Sequence, residues 1–279
     1  MKTVSFGGGQ RQVSIAGLGG EGVLRTFGRG TEAQSVIRQA VSQGVTYFDS
    51  ARVYSDSEVY YGSIWEHDPG LRESIFQTSK SASRDKDSAL ADLAATLQRL
   101  HTPYLDLWQI HDVRTEEDLL TISGPGGALE AFVEAKKSGL VRAIGVTGHH
   151  DPAVLTRAVR EWPVDAVLLP VNPVEGVLGG FLTHTMEAAR QKGIAVIGMK
   201  ILGAAHYILP ELGVTAELLI RYALSSGVTV AIVGCATAEE VRTLAVAAAQ
   251  PLLSEQERSG LHNIFRPYAA RLAFYRGVL

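Results

Sequence analysis

Cysteine is nearly missing from this chain of 279 residues, in which Cys235 stands alone. A single cysteine excludes a disulfide framework and any zinc or iron–sulfur site that needs several thiolates. The sequence also lacks a run of basic residues, and its formal net charge is −3, which argues against a protein that binds nucleic acid by neutralising phosphates. It has no stretch of 18 uninterrupted apolar residues, so it predicts no membrane-spanning helix.

The N-terminal segment lacks the apolar run of a signal peptide, because Gly7, Gly8 and Gly9 stand where that run is needed. An apolar content of 46% is sufficient for a large core. We therefore expect a globular cytoplasmic protein with no nucleic-acid or membrane partner. The sequence contains no pattern that indicates an oligomeric state.

One pattern recurs along the chain: a helix ends in a polar turn with a glycine, and a short apolar strand follows within a few residues. The pattern places strands at residues 46–49, 143–146, 195–198 and 230–233, and similar apolar segments lie at 13–16, 75–78, 105–110 and 166–169. Glycine just past a helix adopts the left-handed conformation that ends it. Strands that are apolar on consecutive residues are typical of parallel sheets buried on both faces.

Eight such units predict a closed (β/α)₈ TIM barrel, formed as a single domain by residues 1–279. A doubly wound open sheet has the same local pattern and is the structural alternative. Residues 3–6 and 12–15 flank three glycines and predict an N-terminal β-hairpin. The last segment begins with a good helix cap at Ser254 and predicts a C-terminal helical tail.

Three motifs with functional associations have simpler structural interpretations. Residues 17–22 spell a dinucleotide-binding G-x-G-x-x-G, but glycines at 28 and 30 interrupt the helix that this motif must open; we expect a glycine-rich loop at the barrel mouth. His149-His150-Asp151 has residue types that bind metals, yet Asp151 before Pro152 favours a helix N-terminus. Cys235 has no evident thiolate-stabilising partner and is predicted to be a packed, inert residue.

Polar residues at the C-terminal ends of barrel strands are the candidates for catalysis. Asp49, Lys80 and His111 end the second, third and fourth strands, and Tyr54 follows in the loop after the second. Tyrosine has an ordinary pKa near 10; we expect Lys80 to lower the pKa of Tyr54, with Asp49 holding Lys80 charged. Tyr54 then acts as general acid for a developing alkoxide, and His111 hydrogen-bonds the same oxygen.

This set contains no good covalent nucleophile and no metal cage. The chemistry that it fits best is polarisation of a carbonyl group while a separate reductant delivers hydride. An isomerase or aldolase that uses Lys80 as a Schiff base is the alternative from another reaction class.

The run GVTYFDSARVY at residues 44–54, followed by Ser57-Glu58 and Tyr61-Gly62, resembles the signature of the aldo-keto reductase superfamily, bacterial type. Residues 78–80, 105–111 and 143–147 match its following strands in order, and the resemblance covers about residues 13–250. It implies a TIM barrel that uses NADH or NADPH, without metal, to reduce small aldehydes or ketones to alcohols or to run the reverse oxidation. It also implies that Tyr54 is the proton donor.

The resemblance further implies a set of cofactor contacts, some of which depart from the family pattern. Thr147-Gly148 stands where many members have Ser-Asn, Asn172 is the nearest amide to a glutamine usual on the sixth strand, and Met199 replaces a stacking aromatic. The other implied contacts are Lys200, Leu202 and Gly203 after the seventh strand, and Gly234, Ala236, Thr237 and Glu240 after the eighth.

Glu240 stands where many NADPH-preferring members have arginine. A carboxylate there repels a 2′-phosphate, so the sequence leaves NADH and NADPH both open as coenzymes. Thr237 and Glu240 also have the spacing of a capping box. Since the resemblance extends to non-catalytic relatives, a nucleotide-sensing subunit on the same scaffold is a further alternative, against which the complete catalytic set argues. The sequence does not identify the substrate.

Overall fold

A computed structural model describes residues 1–9 and 11–278. Strands β1 (Thr3–Ser5) and β2 (Gln12–Ser14) form an antiparallel hairpin. Eight parallel strands then close a barrel: β3 (Ala16–Gly22), β4 (Tyr47–Phe48), β5 (Phe76–Ser81), β6 (Leu107–Ile110), β7 (Ile144–Thr147), β8 (Ala166–Pro170), β9 (Ala195–Met199) and β10 (Val230–Cys235). Strand β10 pairs with β3 and closes the circle. The predicted TIM barrel and hairpin are confirmed.

Helices follow most of the barrel strands and cover its outside: α1 (Gly30–Ser42), α2 (Ser57–Trp65), α3 (Pro69–Ser74), α4 (Lys86–Arg99), α5 (Glu116–Ser123), α6 (Ala128–Lys137), α7 (Pro152–Glu161), α8 (Pro173–Leu178), α9 (Met186–Lys192), α10 (Ala216–Ser225) and α11 (Ala238–Ala249). Helices α12 (Glu255–Phe265) and α13 (Ala269–Leu272) form the predicted C-terminal helical tail. In the part of the chain that the structure describes, no helix is both long enough and apolar enough to cross a membrane.

Local sequence signals set several helix ends. Asp151 accepts a hydrogen bond from the backbone N–H of Ala153 at 2.7 Å, and Pro152 occupies the first turn of α7. The capping interpretation of Asp151 is therefore confirmed. Ser254 and Glu257 form a reciprocal capping box at the start of α12, which satisfies backbone donors that the helix leaves unpaired.

The barrel has two apolar cores, one inside the strands and one between the strands and the helices. The inner core includes Tyr47, Phe76, Leu107, Ala166, Leu168, Ile197 and Ile232 of the barrel, together with Phe6 and Val13 of the hairpin. The outer core contains the inward faces of the helices. Because both strand faces are buried, the strands read as continuous apolar segments.

The glycine-rich motif at residues 17–22 lies within β3, so the prediction of a loop at the barrel mouth was wrong. A Cβ atom on Gly17 would stand 2.8 Å from the ring of Tyr47, and one on Gly20 would stand 2.6 Å from the ring of Tyr54. These glycines therefore let neighbouring aromatic rings lie directly against the strand. Residues 12–14 belong to the hairpin, and the first barrel strand begins at Ala16.

Candidate active site

A cavity of about 490 Å³ opens at the C-terminal ends of the barrel strands. Tyr54, Lys80 and His111 all line it. Lys80 lies in β5, His111 directly follows β6, and Tyr54 lies in the loop between β4 and α2. The parallel strands thus bring together side chains that are far apart in sequence, at the end where TIM barrels carry their active sites.

Asp49 and Lys80 form a buried ion pair beneath the cavity. The Lys80 Nζ donates to Asp49 Oδ2 at 2.7 Å and to the Ser50 carbonyl at 2.6 Å, and Thr78 Oγ1 donates to Asp49 Oδ1 at 2.9 Å. Burial lowers the pKa of Lys80, and the adjacent Asp49 carboxylate opposes that shift. The pair is held by hydrogen bonds on both sides, as a buried charge requires.

The hydroxyl of Tyr54 keeps its proton more firmly than the sequence predicts. Burial, and then the charges of Asp49 and Glu21, raise the pKa of Tyr54 well above 10. The expected lowering by Lys80 is therefore corrected. The Lys80 Nζ lies 4.7 Å from the centroid of the Tyr54 ring, but it gives its hydrogen bonds to Asp49 and Ser50 and not to the Tyr54 hydroxyl.

His111 faces Tyr54 edge to face, with ring centroids 5.5 Å apart. Burial, and then the charge of Lys80, lower the pKa of His111 to about 3. The imidazole is therefore neutral at physiological pH and carries a single N–H donor. Its Nδ1 has no hydrogen-bond partner among the described residues.

Asp112, the next residue, organises the rim of the cavity. Its backbone is left-handed, with φ 56°, and its N–H donates to Thr147 Oγ1 at 2.8 Å. Its carboxylate lies 2.6 Å from Arg114 Nη2 and 3.4 Å from His149 Nε2. Burial raises the pKa of Asp112, but the bond from Arg114 and the charge of His149 outweigh burial and lower it.

Three predicted cofactor contacts, Thr147, Met199 and Lys200, line the cavity. Because Thr147 Oγ1 accepts from Asp112, its own hydrogen remains available to a ligand. Leu168, which sequence reasoning missed, lies beside them at the point where we expected an amide. The Thr147 hydroxyl suits the carboxamide of a nicotinamide nucleotide, the apolar side chains of Leu168 and Met199 suit its ring, and the Lys200 ammonium suits its phosphates.

The period-two alternation of a barrel strand is the signal that would have found Leu168. Ala166 and Leu168 belong to the inner core, whereas Val167 and Leu169 belong to the outer one. Leu168 is thus an inward-facing residue in the C-terminal half of β8, near the end of the barrel that contacts a ligand in this fold.

Asn172 lies outside the cavity lining and is fully buried. Its Nδ2 donates to the Lys200 carbonyl at 3.1 Å and to the Tyr275 hydroxyl at 3.0 Å, and its Oδ1 accepts from the Glu175 N–H at 3.0 Å. Lys200 has a left-handed backbone, with φ 56°, which is unfavourable for a residue with a side chain. The hydrogen bond from Asn172 therefore helps to hold the backbone of Lys200 in this conformation.

The same network holds the end of the C-terminal tail against the barrel mouth. The Tyr275 hydroxyl donates to Glu175 Oε1 at 2.9 Å, and the buried guanidinium of Arg276 pairs with the buried Glu175 carboxylate. The Gly277 N–H donates to the His150 carbonyl at 3.0 Å. These bonds join residues 275–277 to the loop after β7 and to the start of α8, and Asn172 links them to the Lys200 carbonyl after β9.

Four further predicted cofactor residues lie outside the cavity lining. Leu202 is half-buried, and the other three are glycines at close backbone approaches. A Cβ atom on Gly148 would stand 2.9 Å from the Val113 carbonyl, one on Gly203 2.5 Å from the Tyr207 ring, and one on Gly234 2.5 Å from Glu21 Cβ. Glycine is required at these three positions for packing.

The last three predicted cofactor residues lie at the exposed start of α11. Thr237 Oγ1 accepts from the Glu240 N–H at 3.2 Å, and Glu240 Oε2 accepts from the Ala236 N–H at 2.6 Å. A helix N-terminus is an anion site, but here the chain's own carboxylate fills it. A phosphate that binds at this terminus must displace Glu240.

Cys235 is buried at the end of β10, and burial raises the pKa of its thiol to about 12. A thiol with that pKa is protonated at neutral pH and is a poor nucleophile. Within residues 1–9 and 11–278, no cluster of three or more His, Cys, Asp or Glu side chains is arranged to hold a metal ion.

Comparison with known proteins identifies the family. The family model described as Aldo/keto reductase family matches residues 17–207, which include the whole region from β3 to the loop after β9. The chain belongs to the aldo/keto reductase family, as its sequence predicts.

Individual relatives are distant. The chain is 28% identical to aldo-keto reductase str7 of Strobilurus tenacellus in an alignment of 209 residues that covers 70% of this chain and 60% of that protein. It is 30% identical to D-galacturonate reductase of Fragaria ananassa in an alignment of 192 residues that covers 62% of this chain and 58% of that protein. The matches thus span about three fifths of the length of these relatives.

A solved structure of an aldo/keto reductase from Klebsiella pneumoniae, in complex with NADP and acetate, has the same fold. It aligns with a TM-score of 0.78 and 22% identity, covering 95% of each chain.

Proposed function

We propose that this protein is an oxidoreductase that reduces small aldehydes or ketones to alcohols, or runs the reverse oxidation, with a nicotinamide coenzyme. The observation that carries the proposal is the arrangement around one cavity of a protonated tyrosine, a neutral histidine and a buried Lys–Asp pair. Family membership and the reductase names of its relatives support the same reaction class.

Tyr54 is the proton donor in this proposal. When bound, the coenzyme supplies hydride to the carbonyl carbon, and negative charge then develops on the carbonyl oxygen. The raised pKa of Tyr54 keeps its hydroxyl protonated until that moment. An alkoxide is a stronger base than a phenolate, so transfer of the Tyr54 proton to the oxygen remains favourable.

His111 acts before the proton leaves Tyr54, and Lys80 acts after it. The neutral His111 imidazole donates its single N–H to the carbonyl oxygen, which orients the substrate and stabilises the developing charge. The Lys80 ammonium stabilises the Tyr54 phenolate that remains after proton transfer. Asp49 keeps Lys80 charged and fixed in spite of its burial.

The residues that suit the coenzyme lie on β7, β8 and β9. The Thr147 hydroxyl would bind the carboxamide, Leu168 and Met199 would pack against the nicotinamide ring, and the Lys200 ammonium would pair with a phosphate. The complex of the Klebsiella pneumoniae protein with NADP supports a nicotinamide coenzyme. Glu240 at the start of α11 opposes a 2′-phosphate and favours NADH.

The experiment that tests this function is an absorbance assay for the reduced nicotinamide, run with NADH and NADPH separately against short aliphatic and aromatic aldehydes. We expect aldehyde-dependent loss of absorbance with at least one coenzyme. Tight coenzyme binding by fluorescence without turnover of any aldehyde would contradict the proposal and indicate a nucleotide sensor. Borohydride trapping of a carbonyl substrate on Lys80 without coenzyme would indicate Schiff-base chemistry instead.

A further inference from the structure

Most of the residues that line the active-site cavity are polar or charged. The apolar side chains among its described lining residues are Val53, Ala82, Leu168 and Met199. We have assigned Leu168 and Met199 to the coenzyme, which leaves Val53, Ala82 and the ring of Tyr54 as the apolar wall for the substrate. An apolar substrate would desolvate these charged groups without replacing their hydrogen bonds. The cavity therefore suits a carbonyl compound that carries a polar or charged group of its own.

Most cations of the cavity already have anionic partners that hold them firmly. Lys80 is bound by Asp49, the Arg84 guanidinium by Asp118 and by the carbonyls of residues 111 and 112, and Arg114 by Asp112. Lys200 makes no ion pair with a described residue, but a coenzyme phosphate takes that role in the proposed function. Lys80, Arg84 and Lys200 therefore have little capacity left for a substrate anion. Arg114 is 56% exposed, but it holds Asp112 through both Nε and Nη2.

Arg25 differs from these cations because it holds its partner, Glu21, through a single hydrogen bond. It ends the short helical turn Val23–Arg25 after β3, and its guanidinium carbon lies 4.9 Å from the centroid of the Tyr54 ring. The guanidinium is thus adjacent to the group that we assign as proton donor. Within the described chain its side-chain hydrogen bonds go to Glu21 alone, from Nη1 to Oε1 at 2.7 Å.

The bond to Glu21 is readily exchanged. Both side chains are about half exposed, at 46% and 48%, and ion pairs with that exposure contribute little to stability. A guanidinium has five N–H donors in a fork that matches a carboxylate. Arg25 therefore has donors free to bind a carboxylate through two parallel hydrogen bonds.

We propose that the substrate is a carbonyl compound that bears a carboxylate, and that Arg25 binds this carboxylate while Tyr54 and His111 bind the carbonyl oxygen. This inference rests on the proposed carbonyl reduction. Arg25 is then the residue that determines specificity between anionic and neutral carbonyl substrates.

The test compares substrates that differ in charge and hardly in shape: 4-carboxybenzaldehyde with 4-carbamoylbenzaldehyde, and the corresponding 3-substituted pair. For each pair the ratio of kcat/KM values, acid over amide, is measured in the native protein, Arg25→Gln and Arg25→Lys. We expect the native ratio to favour the acid, to fall at least about tenfold in Arg25→Gln, and to recover in part in Arg25→Lys, since a charged hydrogen bond is worth at least that factor.

Arg29→Gln is the matched control. Arg29 lies in the same segment, is about as exposed as Arg25, and pairs with Glu32 at 3.1 Å, but it does not line the cavity. The acid-over-amide ratio of kcat/KM in Arg29→Gln should equal the native ratio. Calorimetric titration with 4-carboxybenzyl alcohol and 4-carbamoylbenzyl alcohol gives a second readout that does not depend on turnover, and the acid should bind more tightly only where Arg25 is intact.

An acid-over-amide ratio that is the same in Arg25→Gln as in the native protein would overturn the inference, as would a native preference for the amides. In both cases the aldehydes are still reduced, so the proposed function stands. If no aldehyde of either pair is reduced and neither alcohol binds, the proposed function fails together with the inference.

Discussion

Gly20 lies directly against the ring of Tyr54: a Cβ atom at Gly20 would stand 2.6 Å from Tyr54 Cδ2 and 3.1 Å from the Asp49 carbonyl oxygen. Real Cβ atoms do not approach ring carbons so closely. The position of the proposed proton donor thus requires a residue without a side chain, Gly20, in the first barrel strand.

Gly20→Ala should therefore displace the Tyr54 ring and lower kcat by more than about tenfold, because a proton donor misplaced by about 1 Å loses much of its effect. Steady-state kinetics measures this loss, and circular dichroism checks that the barrel remains folded. Gly260→Ala is the control, since a Cβ atom at Gly260 has open space around it. Native kinetics in Gly20→Ala would show that Tyr54 tolerates displacement.

The pKa directions of Tyr54 and His111 predict the pH dependence of the reaction. The active forms are protonated Tyr54, with a pKa above 10, and neutral His111, with a pKa of about 3. His111 would gain a proton only as pH falls toward 3, and Tyr54 would lose its proton only above pH 10. We therefore expect neither His111 nor Tyr54 to change kcat/KM between pH 6.5 and pH 10. A basic limb within that range belongs to Lys80, whose pKa burial lowers.

His149, which also lines the cavity, provides the control for this profile. Burial lowers the pKa of His149, although Asp112 opposes the shift. Any acidic limb that disappears in His149→Gln belongs to His149. A limb near pH 6.5 that survives this substitution would contradict a neutral His111 with a strongly lowered pKa.

Glu240 is expected to set the coenzyme preference. Its carboxylate binds the Ala236 N–H at 2.6 Å and repels a 2′-phosphate nearby. Glu240→Arg should improve the Kd for NADPH relative to NADH by about tenfold or more, since it removes one charge repulsion and adds one attraction. Fluorescence titration measures both constants.

Glu239→Arg is the matched control for this coenzyme test. Glu239 is its neighbour on the exposed face of α11 and pairs with Arg242. The Kd ratio should stay native in this variant. An unchanged ratio in Glu240→Arg as well would mean that Glu240 serves only as a helix cap.

The buried pair of Glu175 and Arg276 should control the stability of the tail. Glu175 is fully buried, and burial raises its pKa while Arg276 opposes that shift. Arg276→Met leaves a buried charge without its partner, so we expect the free energy of unfolding to fall by about 3–5 kcal/mol. Urea denaturation measures this quantity.

Removal of both partners should lower the free energy of unfolding less than removal of Arg276 alone. In the double variant Glu175→Met with Arg276→Met no buried charge remains, so it should be more stable than Arg276→Met alone. Equal stabilities of the two variants would show that the pair does not act as a unit.

The barrel, the hairpin and the tail were predictable because each strand and helix carries its own local signal. Apolar strand segments, glycines at helix ends and the Ser254 cap depend on neighbours only a few residues away. The proximity of residues 49, 80 and 111, which end three strands, then follows, because parallel strands place their C-terminal ends on one side of the sheet.

Contacts between distant segments were not predictable in the same way. Asn172 resembles a cofactor ligand by position, yet its amide bonds to Tyr275, 103 residues later in the chain. The pKa of Tyr54 depends on how deeply the ring is buried and on where the Lys80 ammonium points, neither of which a strand pattern contains. Gly20 is explained only by the ring that packs on it.

The central claim is that Tyr54 supplies the proton in carbonyl reduction. Its most direct test is the kcat of Tyr54→Phe for an aldehyde that the native protein reduces, measured together with the coenzyme Kd. Tyr268→Phe, at an exposed tyrosine of the tail, is the control and should keep native kinetics. We predict that Tyr54→Phe loses at least about a hundredfold in kcat while its coenzyme Kd stays within a few-fold of native. Turnover by Tyr54→Phe comparable to that of the native protein would contradict the account.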